Sequence, residues 1–174
     1  MLELLVSCGQ IFCILKAIVV SISEILEERR NIAMNTRLGF HVTSPEEIEQ
    51  HIDDDEFGFD IFLDCSGSPK CIEAAFKWTK FGATILCFGM CPKESQIEIN
   101  PLDIMIKELK LFGSLINPFT FNASISVIDG MRSYLDYERL GVKIFTLQDY
   151  PVALESLKNG WASKSVFKMD FNVE

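Results

Sequence analysis

The stretch from Phe59 to Gly89, FDIFLDCSGSPKCIEAAFKWTKFGATILCFG, decides how this chain is read. Phe59 to Cys65 (FDIFLDC) is a short apolar run, closed by Ser66-Gly67-Ser68-Pro69, residues that favour turns. Lys70 to Lys80 then sets Ile72, Ala75, Phe76 and Thr79 at helical spacing. Ala83 to Phe88 (ATILCF) is a second short apolar run, ended by Gly89. Strand, helix and strand at this spacing form a βαβ unit. The expectation is an α/β fold on a parallel sheet with helices on both faces.

Working outward, Leu2 to Lys16 reads as a helix that is apolar nearly all round, and Ala17 to Ile22 (AIVVSI) as a buried strand. Ser23 can cap the next helix, which carries Leu26, Ile32 and Ala33, and Gly39 suits its stop. His41 and Val42 make a short extended piece. Ser44-Pro45-Glu46-Glu47 has the form of a capping box, opening a helix that runs to Asp53, Asp54, Asp55 and Glu56. That acidic run lacks the glycine and ligand spacing of a calcium loop, so a solvated turn is expected. Towards the C-terminus, Gln96–Ile99 and Leu109–Leu115 read as extended, and Ala123–Leu135 as an amphipathic helix. Lys143–Thr146 reads as a strand, Val152–Asn159 as a helix closed by Gly160, and Ser165–Phe171 as a last strand. The chain shows no internal repeat, low-complexity segment or Pro-rich linker.

With 174 residues, 48% hydrophobic and 24% charged, the chain has ordinary globular composition and room for one sizeable core. Its net charge of −9 repels phosphate backbones and anionic lipid, so neither nucleic acid nor a membrane surface is expected as a partner. Six cysteines, at Cys8, Cys13, Cys65, Cys71, Cys87 and Cys91, include no C-x-x-C pair, and several lie inside apolar runs. That pattern suits a reduced, cytoplasmic protein. A signal peptide wants a positive start, whereas the first charge is Glu3. Glu3, Gln10 and Lys16 interrupt the apolar N-terminal stretch, which argues against a spanning helix.

From about Ser21 onward the chain resembles the cofactor domain of the medium-chain dehydrogenase/reductase superfamily, and most of all the zinc-type polyol and alcohol dehydrogenases such as sorbitol, arabinitol and threonine dehydrogenases. Several blocks carry the resemblance in order. They are Val20-Ser21-Ile22-Ser23-Glu24 with Glu27-Glu28-Arg29-Arg30, then Phe59-Asp60 leading to Asp64-Cys65-Ser66-Gly67, then Phe81-Gly82-Ala83-Thr84 leading to Phe88-Gly89. Lys107-Glu108-Leu109, Phe112-Gly113-Ser114 and Asn117-Pro118-Phe119 follow, and the tail from Tyr150-Pro151-Val152-Ala153-Leu154 to Lys164 completes the match. The resemblance implies a Rossmann-like, doubly wound, mostly parallel sheet, with residues 1–174 as a single partial dinucleotide-binding domain.

The resemblance also implies roles. Glu24, just past the second strand of such a fold, would accept hydrogen bonds from the adenosine ribose, favouring NAD, although Arg29 and Arg30 leave the choice between NAD and NADP open. The same carboxylate would equally serve the N-terminus of the following helix. Cys65, Ser66 and Gly67, Phe88, Gly89 and Met90, and Ser114, Leu115, Ile116 and Asn117 would line the nicotinamide half of the cofactor, since ligands bind beyond the carboxyl ends of parallel strands. The glycines would also be needed by tight turns alone. Ile116 stands where polyol enzymes often carry arginine. Lys107, Lys110, Lys164 and Lys168 are the later lysines to weigh; Lys164 matches a basic family position, and a solvated strand end is its plainer reading.

Two features of the family are missing. The zinc ligands lie in an N-terminal domain with no counterpart here, and the cysteines lack the spacing of a zinc knuckle, so no zinc is expected in this chain. The ten glycines include no G-x-G, so the phosphate loop is missing too. The matched blocks put Met1–Lys16 at the helix that follows that loop, which places the central first strand outside the chain. An alternative makes Leu4–Ser7 a remnant strand turning at Cys8-Gly9. It leaves only Ile11–Lys16 for a crossover that needs about a dozen residues.

Three functional expectations follow. The chain is an NAD(H)-dependent alcohol or polyol dehydrogenase truncated so that it does not catalyse hydride transfer alone. Alternatively it is a non-catalytic remnant that forms a homodimer, or pairs with a full-length relative, through an edge strand at Leu109–Leu115 (LKLFGSL). The third alternative is a fragment without a stable fold of its own.

Overall fold

The computed structural model describes residues 19–54, 57–115, 120–133 and 135–169. The expected helix Leu2–Lys16, the alternative strand Leu4–Ser7, Asp55, Glu56, Ile116 and Asn117 lie outside the described residues. The order of elements is β1 (Ser21–Ser23), α1 (Glu27–Asn35), β2 (His41–Thr43), α2 (Pro45–Glu49), β3 (Phe59–Asp64), α3 (Pro69–Trp78), β4 (Thr79–Cys87) and α4 (Pro101–Ile106). Then come β5 (Lys110–Gly113), α5 (Phe121–Gly130), β6 (Val142–Phe145), a 3-10 turn (Leu147–Asp149), α6 (Tyr150–Lys158) and β7 (Lys164–Phe167). Strands and helices alternate and every ladder is parallel, as the expected α/β class requires. The chain divides into two compact units, one containing Glu46–Pro118 and the other the described residues on either side.

The first unit holds the sheet β3-β4-β5. Phe62, Ala83, Ile85 and Cys87 share one face of it, because side chains alternate along a strand and Phe62 pairs with Ile85. On that face Ile72, Ala75 and Phe76 of α3 pack against Ala83, Ile85 and Leu109, and Ile104 of α4 joins the same core. Fully burying a side chain such as Ile85 contributes about 1.5–3 kcal/mol. The opposite face carries Ile61 and Phe112, both exposed, beside the half-buried Leu63 and Leu86. Helix α3 passes into β4 without a loop. Phe59 pairs with Thr79 and Ile61 with Thr84, so the strand start expected at Ala83 marks the end of an irregularity that contains Gly82 at φ 74°. At the end of α3, Lys107 Nζ donates to the carbonyls of Phe76 at 2.7 Å and Thr79 at 3.1 Å. That lysine therefore closes a helix C-terminus, where positive charge is favoured.

Among the described residues Gln96–Ile99 joins no ladder; Ile97 and Ile99 pack on the core, and the Glu98 N–H donates to Glu73 Oε1 at 2.9 Å.

The second unit contains two two-stranded sheets, β1-β2 and β6-β7. Here α1 begins later than expected. Ser23 is paired in β1 opposite Thr43, and Leu26 occupies the N-cap position, so Ser23 does not cap the helix. The helix ends at Asn35, before Gly39, and Arg37 takes the left-handed conformation at φ 56°. Ile32 packs against Gly141, where an added Cβ would stand 2.7 Å from Ile32 Cδ1. Strand β6 and helix α6 lie within two residues of expectation, with α6 followed by Gly160 at φ 78°, whereas α5 stops at Gly130 instead of Leu135 and β7 stops at Phe167, the expected residues 170 and 171 lying outside the described residues. Helix α2 stops at Glu49, short of the acidic run it was expected to reach. No helix among the described residues is long and apolar enough to cross a membrane.

Candidate functional site

Strand register builds the candidate site in the first unit. Asp64 pairs with Cys87, and Cys87 pairs with Gly113, so three adjacent parallel strands end level with one another. The residues that follow them, Cys65-Ser66-Gly67, Phe88-Gly89-Met90 and Ser114-Leu115, therefore share the carboxyl end of the sheet. The Ser114 N–H donates to the Cys87 carbonyl at 3.0 Å, which holds the third segment to the second. Ile116 and Asn117 lie outside the described residues.

The first two turns touch through backbone. Gly67 has φ 65°, and a Cβ there would collide with the Met90 carbonyl; a Cβ on Gly89 would collide with the Gly67 amide nitrogen and stand 2.8 Å from the Cys65 carbonyl carbon. Both glycines are thus required by the packing of one turn on the other, which is the plainer of the two roles foreseen for them. Exposed side chains at this edge are Ser66, Met90 and Leu115, the last two 86% and 75% exposed.

Asp64 organises this edge and was missed as a site residue. Its side chain is fully buried. Its Oδ1 accepts from the Ser66 N–H at 2.9 Å and from the Ser66 hydroxyl at 2.7 Å, while Ser66 Oγ accepts from the Ser68 N–H at 3.1 Å. The Asp64 carbonyl accepts from the N–H groups of Phe88 at 3.0 Å and Gly89 at 2.8 Å. Asp64 Oδ2 is buried without a partner. The signal was present: an aspartate followed two residues later by a turn residue commonly bonds that backbone N–H.

Two thiols flank the carboxylate. Burial pushes the Cys71 thiol up to about 11; the neighbouring Asp64 charge pushes the same way, and a hydrogen bond with Ser66 partly opposes it. The Cys87 thiol is also raised, first by burial and then by Asp64 and Cys91. Both remain protonated at neutral pH and behave as small apolar groups rather than nucleophiles. No group of three or more metal-ligating side chains is assembled among the described residues.

Glu24 belongs to the second unit. Its Oε1 accepts from the Leu26 N–H at 3.1 Å, and Arg29 approaches its Oε2 at 3.9 Å. Arg30 donates to the carbonyls of Glu24 and Ile25, each at 2.7 Å. The carboxylate thus serves the start of α1, the second of the two roles weighed for it. Lys110 and Lys164 are exposed on β5 and β7.

Residues 8–129 match the sequence profile of the family described as zinc-binding dehydrogenase. D-altritol 5-dehydrogenase of Agrobacterium fabrum is 30% identical over 95 residues, which cover 55% of this chain and 27% of that protein. Among solved structures, benzyl alcohol dehydrogenase of Acinetobacter calcoaceticus superposes with a TM-score of 0.75 at 16% identity, over 94% of this chain and 45% of that one. A short chain alcohol dehydrogenase of Escherichia coli, solved complexed with NADH, superposes with a TM-score of 0.68 at 16% identity, over 82% of this chain and 41% of that one. The chain spans less than half the length of these proteins. With the profile covering most of its residues, the chain belongs to the zinc-binding dehydrogenase family, in the portion that corresponds to the cofactor domain.

Proposed function

We propose that this chain carries the nicotinamide-side portion of an NAD(H) site from an alcohol or polyol dehydrogenase, and that these residues bind the cofactor weakly and do not transfer hydride by themselves. The observation that supports this reading is the alignment of three strand ends, which sets Cys65-Ser66-Gly67, Phe88-Gly89-Met90 and Ser114-Leu115 along one edge where parallel sheets bind ligands. When bound, the cofactor supplies the hydride acceptor. The chain's own residues orient it: the turns offer fixed backbone groups, and Met90 and Leu115 shield one face from water.

Weak binding follows from the lack of a G-x-G among the ten glycines. Losing two amide-to-phosphate hydrogen bonds, each about 1.5–3 kcal/mol, moves a micromolar site to roughly millimolar. Hydride transfer from an alcohol in this family needs a zinc with an open position to polarise the substrate oxygen, and these 174 residues carry no recognisable ligand set for it. Calorimetric titration with NAD tests the reading. Heat is expected at millimolar cofactor, and its absence there removes the reading.

A second reading is favoured by β5. This outer strand of its sheet has all four residues exposed, with Leu111 44% and Phe112 53% exposed. An open apolar edge is a template for strand pairing, so self-association through β5, or pairing with a longer relative, accompanies or replaces cofactor binding. Sedimentation at about tens of micromolar, a concentration typical of weak dimers, is expected to show dimer. Monomer alone would remove this reading.

A further inference from the structure

We propose that Asp64 is the positioning residue of this edge: its carboxylate fixes the 65–68 turn through Ser66 while its carbonyl fixes the 88–90 turn, so that turn rigidity and cofactor affinity rise and fall together. The consequence for affinity rests on the cofactor reading above; the geometry does not. A carboxylate taken wholly out of water is costly unless hydrogen-bonded, and here one oxygen has two donors while Oδ2 has none. Charge strengthens the two bonds it does make, because hydrogen bonds to an ionised acceptor are shorter and stronger than neutral ones. Both of those bonds come from Ser66, whose Oγ in turn accepts from the Ser68 N–H. From the same residue the backbone carbonyl receives Phe88 and Gly89. Gly67 and Gly89 then lock the two turns by direct backbone contact, so a movement of one turn must displace the other. One buried residue thereby holds two of the three segments proposed to face the cofactor, the first through its side chain and the second through its backbone carbonyl.

The test compares the full chain with Asp64→Ala and Asp64→Asn, following amide hydrogen exchange at Ser66, Ser68, Phe88 and Gly89, with Ile85 as a core reference, and NADH affinity by nicotinamide fluorescence. In Asp64→Ala, exchange at Ser66 and Ser68 should rise at least about tenfold relative to Ile85, and NADH should bind about tenfold more weakly, the loss expected of a charge-assisted hydrogen bond. Asp64→Asn keeps an acceptor at Oδ1 and should recover most of both. A general loss of stability would speed Ile85 equally and would not be rescued by asparagine. If Asp64→Ala does not melt cooperatively, Ser66→Ala, which removes the hydroxyl donor and keeps the N–H, should speed Ser68 exchange in its place. Unchanged exchange at the turn overturns the proposal, as does a loosened turn that binds NADH with unchanged affinity. Failure of the unsubstituted chain to bind NADH, with exchange at Ser66 still responding as described, sinks the cofactor reading and leaves the positioning role standing.

Discussion

The contact between the two turns can be separated into its two physical causes by four glycine-to-alanine substitutions in one unit. Gly113 has ordinary backbone geometry and open space, so Gly113→Ala should be neutral or stabilising by up to about 1 kcal/mol. Gly82 has φ 74° and open space, so Gly82→Ala isolates the cost of the left-handed conformation, about 1–2 kcal/mol. Gly89 lacks that conformation but would drive its Cβ into the backbone of Cys65 and Gly67, so Gly89→Ala isolates the collision, roughly 1–3 kcal/mol. Gly67 suffers both, with φ 65° and the Met90 carbonyl in the way, and Gly67→Ala should cost about 2–5 kcal/mol. Against a typical total of about 5–15 kcal/mol, the last variant approaches loss of the fold. Because the two glycines meet, the double variant should cost less than the sum of the singles: once the turns are forced apart, the second methyl finds room. Urea denaturation followed by two probes measures each difference. A Gly67→Ala within about 0.5 kcal/mol of the unsubstituted chain, the range of ordinary surface changes, would refute the reasoning, as would a Gly82→Ala of equal cost to Gly67→Ala.

Other perturbations should behave as follows. Lys107→Met removes the ammonium that closes α3 and should destabilise by about 1–2 kcal/mol, with the loss read in the same denaturation assay. Cys71 has a folded pKa of about 11 against an ordinary 9.0, so the folded state holds a proton that the unfolded state has released between those values. Its contribution is therefore present below about pH 9 and disappears as pH climbs towards 11, and Cys71→Ala should flatten the alkaline loss of stability seen in the unsubstituted chain. At pH 8, thiol labelling read by mass spectrometry should reach Cys71 later than Cys65. Glu24→Gln should loosen the start of α1 by about 0.5–1 kcal/mol and leave Arg29 without its carboxylate, and the ratio of NADPH to NADH affinity should rise; an unchanged ratio would exclude a specificity role for Glu24.

The βαβ unit was legible because the apolar period changes from strand to helix and back within Phe59–Gly89, and the turn residues fall between. Its finer course was not. The irregularity between Thr79 and Ala83 depends on how β4 seats beside β3, a pairing that no local pattern encodes. Ser23 and Glu24 both had the chemistry to serve the next helix, and pairing with β2 drew Ser23 into the strand while Glu24 took the Leu26 amide. The alternation in Gln96–Ile99 told which side chains turn inward, not whether a neighbouring strand exists to complete a ladder. The residues of the candidate site were named from the ends of apolar runs, but their common edge comes from the Asp64–Cys87–Gly113 register, a tertiary property. Nothing local marks Asp64 as enclosed, because a charged residue at a strand end ordinarily faces water and its burial is a property of the fold.

The most direct test of the whole account is a titration of the isotopically labelled chain with NADH, followed amide by amide in nuclear magnetic resonance spectra. The account predicts saturable shifts at roughly millimolar cofactor, concentrated at Ser66, Gly67, Phe88, Gly89, Ser114 and Leu115, with core amides such as Ile85 still. Shifts scattered over unrelated surface, or none at those six amides at saturating cofactor, would contradict it.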